Sequence, residues 1–578
     1  MGRANARDAG KTIDPQTVLG IILLVTVTVA LILIQTALWL SHLMTGAPDK
    51  LSMNPFLTVI RLYRGSVQWT LSATIILGCI IGVLVGVGVW ITIRRVKKPT
   101  IRVDKAAKHL AGRKDIQSLS RAAAVEKSRK WLPQGLADTH PGLRMGKIPN
   151  TKTGLYSTWE DLYLVIFGPR MGKTTSQVIP AIVDAPGPVL TTSNKRDIID
   201  DTIGITAARG DVYVFDPQWI APEFEQEPWY FDPLDIIRRE PRTMDAAATE
   251  LADIFKCASS SSETTGGDAF FVDGGRDLLA RLFLAATVAN RPITDVYIWV
   301  NDQDDRTPVG LLKTSGEWDM QASALESTYN ITEKTRSGIF SQAAQMASPL
   351  GRKAAAQWVT PQSGARKFSP EAFVRSAHDT LYVLSKEGAD NAAALTTALT
   401  AAVMKAAETY GEENGGRLPV PLVAPLDEAA NVVRWPQLPR LYSHYGSRSI
   451  ILMTILQSYA QGVGVWGEEG MESLWSAAAI LLYGGGVRDE KMLAKLESLI
   501  GDYEEWTTSV SNSKDSRSVS KQTREKKILT VSELASLGDN RAVVFAAKRR
   551  PIVAELEPFW RRDYWPADIK AGLRMKKS

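Results

Sequence analysis

A chain of 578 residues exceeds one ordinary hydrophobic core and predicts a membrane segment plus one large or two smaller folded domains. Its 45% apolar and 22% charged content excludes global disorder, and having only Cys79 and Cys257 excludes a disulfide framework or a cysteine-built zinc site. A formal charge of +6 permits contact with nucleic acid or with anionic lipid without choosing between them.

The first signal along the chain is a stretch from Pro15 to Pro48 without Asp, Glu, Lys or Arg. Within it Val18 to Leu40 is long enough to cross a hydrocarbon core, which takes about 20 apolar residues. A second charge-free stretch, Gly65 to Ile93, carries Trp69 and Trp90 near its ends, where interfacial aromatics sit. The expectation is a two-helix transmembrane hairpin within 1–98, with spans at about 18–40 and 67–93. Arg3, Arg7 and Lys11 precede it, and Arg94, Arg95, Lys97, Lys98 and Arg102 follow it, against Lys50, Arg61 and Arg64 between the spans. The positive-inside rule then puts both termini, and everything after the hairpin, in the cytoplasm of a cell-membrane protein. A cleaved signal peptide is the weaker reading, because the apolar run exceeds an h-region of about 7–15 residues. The stretch 99–160 is basic and Ala-rich and reads as a cytoplasmic linker near lipid.

Next comes Tyr163-Leu-Val-Ile-Phe167, a buried parallel strand by composition, running directly into Gly168-Pro-Arg-Met-Gly172-Lys173-Thr174-Thr175-Ser176 and a helical pattern. Strand, glycine-bearing loop and helix with Gly-Lys-Thr at the turn is a phosphate-binding arrangement. Backbone amides of Gly168, Arg170, Met171, Gly172 and Thr175 and the helix N-terminus hold phosphate oxygens, Lys173 neutralises them, and the Thr174 hydroxyl holds Mg²⁺ beside ATP. The spacing departs from the usual motif, since Gly168 and Gly172 enclose three residues and Phe167 fills the first-glycine slot. Downstream, Pro421-Leu-Val-Ala-Pro-Leu426 ends in Asp427 and Glu428, suited to a Mg²⁺ ligand and a base that polarises the attacking water, although prolines are unusual inside a strand. A further strand, Ser449 to Leu456, ends in Gln457, a γ-phosphate sensor by position.

These residues together resemble the type IV secretion system coupling proteins, the conjugative DNA-transfer ATPase family. The resemblance rests on the P-loop, on Thr192-Ser-Asn-Lys-Arg-Asp197, on Val214-Phe-Asp-Pro-Gln218, on Leu426-Asp-Glu-Ala-Ala-Asn431, and on Ile455-Leu-Gln-Ser458 before Val465-Trp-Gly467. It implies an α/β fold: a RecA-like P-loop NTPase domain (161–241 and 374–578) interrupted by an all-helical domain (242–373) and preceded by the transmembrane hairpin. It further implies a homo-hexamer at the membrane that recruits single-stranded, relaxase-bound DNA with its relaxosome proteins and passes it to type IV channel proteins. Lys173, Thr174, Asp427, Glu428 and Gln457 would take the family's roles, and Arg448, with Arg440 behind it, would act as an arginine finger on the neighbouring subunit. Two other readings stay open: a non-motor nucleotide-binding adaptor that recruits cargo, and a chromosome-segregation DNA translocase.

Of the remaining segments, Ala258 to Gly267 is a flexible loop by composition. The polar stretch Thr507 to Lys527 carries Lys514, Arg517, Lys521, Arg524, Lys526 and Lys527 and reads as a mobile loop able to grip DNA phosphates.

Overall fold

The computed structural model describes residues 15–46, 51–95, 102–224, 226–239, 241–259, 269–386, 392–513 and 516–573. Arg3, Arg7, Lys11, Lys97, Lys98 and Lys514, and most of the flexible segment expected after Ala258, lie outside them. The chain forms two compact units, Met1–Thr100 and Ile101–Ser578.

In the first unit, helices Pro15–Thr45 and Leu71–Arg95 are long and apolar enough to cross a membrane. A helix closes its own backbone hydrogen bonds, the condition for a span in hydrocarbon. Its polar side chains obey the same rule, since the hydroxyls of Thr28 and Thr36 return to the carbonyls of Leu24 and Ile32 at 2.8 Å each. The second helix begins at Leu71, later than the expected 67, because the Thr70 hydroxyl accepts from the Ala73 amide at 3.2 Å and caps it there. Ser41 ties the two helices together through Thr70 (2.5 Å) and Ser72 (2.7 Å).

The second unit is mixed α/β. Its strands are β1 (Arg144–Lys147), β2 (Gly154–Tyr156), β3 (Tyr163–Ile166), β4 (Val189–Ser193), β5 (Val212–Phe215), β6 (Trp229–Tyr230), β7 (Arg366–Lys367) and β8 (Thr380–Leu384). There follow β9 (Leu422–Leu426), β10 (Ile450–Leu456), β11 (Ile480–Tyr483), β12 (Asp502–Ser513), β13 (Ser516–Lys527), β14 (Arg541–Ala546) and β15 (Ile552–Glu555). The main sheet runs β2-β1-β15-β14-β11-β3-β10-β9-β4-β8-β5. From β11 to β5 every neighbour is parallel; from β14 outward the strands are antiparallel. The inner strands β3, β4, β8, β9, β10 and β11 are buried at every position, which is why they read as continuous apolar runs instead of alternating ones. Alternate residues still feed opposite faces: Leu164 and Ile166 enter one core, while Tyr163, Val165 and Phe167 enter the other.

Pro425 lies within β9, between two neighbours, where an amide is ordinarily required. The ladder to β4 pairs at Val423 and Leu426 and skips the positions between, and the Thr191 hydroxyl donates to the Pro425 carbonyl at 3.1 Å across the gap.

Residues 102–160 are not a solvated linker. Arg541 holds Asp104 through two bonds of 2.7 and 2.9 Å, Leu119 and Leu132 are buried, and β1 and β2 extend the main sheet. The basic composition concealed this because the buried run 141–146 includes Gly142, Arg144 and Gly146 and so does not read as an apolar stretch.

Between β6 and β7 the described residues form helices and turns, with Met244–Ser259 against Ala269–Val288 through Phe255 and Phe283, ring centroids 5.1 Å apart. Pairing of β6 with β7 returns the end of this helical excursion beside its start. The polar stretch expected as a mobile loop is instead the antiparallel ribbon β12–β13, in register from Asp502 opposite Lys527 to Ser513 opposite Ser516. Its Thr and Val content favours extended backbone, a signal that its polarity masked.

Candidate nucleotide site

Four strands of the parallel core deliver loops to the same edge of the sheet, the carboxyl end where open α/β sheets bind ligands. The loop after β3 carries Phe167 to Lys173 into a helix over Thr174–Asp184. Arg170 (φ 63°) and Gly172 (φ 79°) both take left-handed backbone, which turns the chain tightly before Lys173.

Lys173, Thr174, Asp427, Glu428 and Gln457 converge. Lys173 Nζ lies 3.2 Å from Asp427 Oδ1 and pairs with Glu428 Oε1. The Thr174 hydroxyl donates to Asp427 Oδ2 at 3.0 Å. Gln457 Nε2 donates to both oxygens of Glu428, at 2.8 and 2.9 Å. Both carboxylates are only 4% exposed. Burial opposes the charge on Lys173, but the two carboxylates outweigh it and raise its pKa, whereas at Asp427 burial prevails over Lys173 and Thr174 and its pKa is raised.

The fold sets the carboxylates from behind. The Thr192 hydroxyl, at the end of β4, donates to the Asp427 carbonyl at 2.7 Å, and Asp427 Oδ1 accepts the Glu428 amide at 3.1 Å. Glu428 itself is held at φ 53°, ψ 42°, a left-handed conformation that a non-glycine residue adopts only at a cost of about 1–2 kcal/mol. Strain of this kind is retained where the side chain must point one way.

Phe167, in the first-glycine slot, is fully buried. The glycine run after β11 makes room for it: a Cβ on Gly484 would come within 2.2 Å of the Phe167 ring, and one on Gly168 within 2.2 Å of the Gly486 carbonyl. The Gly168 amide donates to the Gly485 carbonyl at 2.9 Å. The short P-loop is thus completed by a second loop, Gly484 to Gly486, whose signal in the sequence is three glycines after the apolar strand β11.

Arg448 is not brought to this cluster. It lies beyond the opposite end of β10 from Gln457, the strand being about 23 Å long at about 3.3 Å per residue, and pairs with Glu408 (3.4 Å) and Glu412 (2.9 Å). Arg440 lines a separate hollow with Asp253 and Gln437. Neither contacts the nucleotide loops of its own chain.

A parallel sheet with Gly-Lys-Thr at the end of β3 and a carboxylate pair two strands away is the architecture of a RecA-like P-loop NTPase. Residues 421–539 match the family described as the TraM recognition site of TraD and TraG. The fold is that of the bacterial conjugative coupling protein TrwB: its unbound monoclinic form aligns at TM-score 0.51 and 16% identity, covering 71% of this chain and 87% of TrwB. A trigonal, sulphate-bound form aligns at 0.50 and 16%, covering 71% and 88%. No curated protein sequence matches the chain. The resemblance to type IV secretion coupling proteins is borne out, by the family match at the carboxylate end of the site and by the shared fold.

Proposed function

We propose that the chain is a membrane-anchored ATPase that couples a relaxase-bound DNA strand to a type IV secretion channel and drives its transfer by ATP hydrolysis. The convergence of Lys173, Thr174, Asp427, Glu428 and Gln457 on one edge of the sheet carries this reading. The match at 421–539 supports a relaxosome protein of the TraM kind as a partner.

The donor set suits Mg-ATP: one ammonium, one hydroxyl and two carboxylates converge, and among the described residues Lys173 is the cation that pairs with both carboxylates. Bound Mg²⁺ would neutralise charge on the phosphates, held by Thr174 and, through water, by Asp427. Lys173 exchanges its carboxylate partners for phosphate oxygens. Glu428, freed of the ammonium and oriented by Gln457, accepts a hydrogen bond from the attacking water, and Gln457 reports the change to the helix Tyr459–Ala477 that follows it.

Within this reading 1–98 is the anchor with both termini cytoplasmic, 242–373 is the all-helical domain, and 161–241 with 374–578 is the motor, extended to take in β1 and β2. A homo-hexamer would let Arg448 or Arg440 reach the neighbouring subunit's site.

The test is ATP hydrolysis by the full chain in detergent, with and without single- and double-stranded DNA, beside Lys173→Ala. Hydrolysis stimulated by DNA and abolished in the variant supports a DNA motor. Nucleotide binding without hydrolysis under any of these conditions would overturn it in favour of a cargo-recruiting adaptor.

A further inference from the structure

The edge strand β5 ends in Val214-Phe-Asp-Pro-Gln218, which has no part in the nucleotide site, yet the loop it starts is tightly held. Asp216 accepts the Ile220 and Ala221 amides at 2.9 and 2.7 Å, and Gln218 Oε1 accepts the Lys386 amide at 2.8 Å. Gln226 then uses its side-chain amide as a strand would, bonding Val214 N and O at 2.9 and 2.6 Å and so covering the open sheet edge. This scaffolding walls a cavity of about 560 Å³, within the size range of ligand pockets.

Its lining is aromatic and acidic: Trp219, Phe224, Trp229 and Trp358, with the carboxylates of Asp216 and Glu227. Trp219 is 60% exposed and held at φ 54°. A bulky residue in left-handed backbone, turned toward solvent, is neither good packing nor relaxed chain, and such strain marks a side chain presented for use. Trp358 Nε1 is buried and finds no acceptor among the described residues. No lining residue is cationic; Asp211, Glu223, Asp232 and Asp235 near it pair with arginines or a lysine outside the lining and Asp216 is held by backbone amides, so Glu227 is the acidic side chain that the lining presents.

We propose that this pocket binds an arginine- or lysine-bearing polypeptide segment of a partner protein. The indole faces receive the cationic side chain and Glu227 supplies charge complementarity. A nucleic-acid backbone is disfavoured because its phosphates would meet Glu227 and no lining cation. The pocket lies at the sheet edge, away from Lys173, so its occupancy is separable from hydrolysis.

The experiment titrates the full chain in detergent with a short, end-blocked peptide carrying arginine at alternate positions, and with the same peptide carrying glutamine there, by calorimetry. Trp219→Ala and Glu227→Gln are measured beside the wild type, with ATP hydrolysis followed in parallel. The expected result is binding of the arginine peptide alone, weakened about tenfold by Trp219→Ala and less by Glu227→Gln, with hydrolysis unchanged. No binding by the wild type, equal binding of the glutamine peptide, or affinity unmoved by both variants would overturn the proposal.

Discussion

Arg562 donates to the carbonyl of Ser176 at 2.9 Å, the carbonyl that an α-helix would pair with residue 180, where Pro180 has no N–H to give. The helix accommodates this proline with a π-turn over Thr174–Val178, the first turn after Lys173. Arg562 is fully buried and also serves the carbonyls of Arg144 (3.1 Å) and Glu557 (3.3 Å), the Tyr564 hydroxyl (2.6 Å) and Asp184 (3.4 Å). The C-terminal segment therefore props up the phosphate-binding helix from beneath.

Replacing Arg562 with leucine leaves Asp184, still bonded by Tyr564 and Trp565, without its buried cation and takes a donor from three carbonyls, at an expected cost of about 3–5 kcal/mol. Thermal unfolding of the full chain in detergent should show a lowered midpoint and nucleotide affinity should fall with it, Arg562→Lys losing less of both. An unchanged midpoint in Arg562→Leu would remove the supporting role.

Restoring the usual glycine with Phe167→Gly should harm the protein instead of repairing it. The ring is wholly buried against Gly484, and its loss should cost about 3–5 kcal/mol as a cavity. Gly484→Ala acts from the other side, forcing the ring and with it the P-loop to move. Both variants are expected to bind nucleotide more weakly than wild type by equilibrium binding. Normal affinity in both would mean the glycine run does not shape the loop.

The strand, loop and helix around Lys173 and the acidic end of β9 were legible because each is a local pattern of apolar run followed by chemistry-bearing residues. Gly484 and Arg562 were not, and Thr192, though its motif was read, showed nothing of its role, because these roles arise from distant segments meeting: Thr192 and Asp427 are 235 residues apart, and Arg562 and Ser176 are 386 apart. Polarity also misled in β12–β13, where structure comes from strand pairing, and in β1 with β2, where the buried Met145 and Leu155 stand among glycines and basic residues.

Gln457→Glu sets a third carboxylate against both oxygens of Glu428, where the native amide donates at 2.8 and 2.9 Å. Like charges at this range in a buried site repel strongly. Hydrolysis should fall at least about tenfold, as removal of one oriented polar group does in other active sites, while nucleotide binding through Lys173 persists. Equal losses of binding and turnover would show that Gln457 serves only to hold the fold.

Acid should loosen the corner around His140. Burial, followed by Arg209 and His378, lowers its pKa from 6.5 to about 4, and burial lowers His378 in the same direction. The unfolded chain binds more protons than the folded one between those values, so this stability is complete above pH 6.5 and declines as pH falls toward 4. Thermal midpoints of the full chain should drop across that window, and His140→Gln should flatten the slope. A slope unaltered in the variant would assign the acid sensitivity elsewhere.

The ribbon β12–β13 offers the last prediction, which rests on the motor reading. Twelve rungs, Asp502–Lys527 to Ser513–Ser516, make it a paired ribbon in place of the loop its composition suggested. Arg517, Lys521 and Arg524 lie on its second strand. If these cations meet DNA phosphates, Arg517→Ala, Lys521→Ala and Arg524→Ala together should cut DNA-stimulated hydrolysis and leave the basal rate intact. The dependence of single-stranded DNA affinity on salt should also become shallower, by about 0.7 in log–log slope for each phosphate that no longer meets a cation. A triple variant with wild-type stimulation and an unchanged salt slope would take the ribbon out of the DNA path.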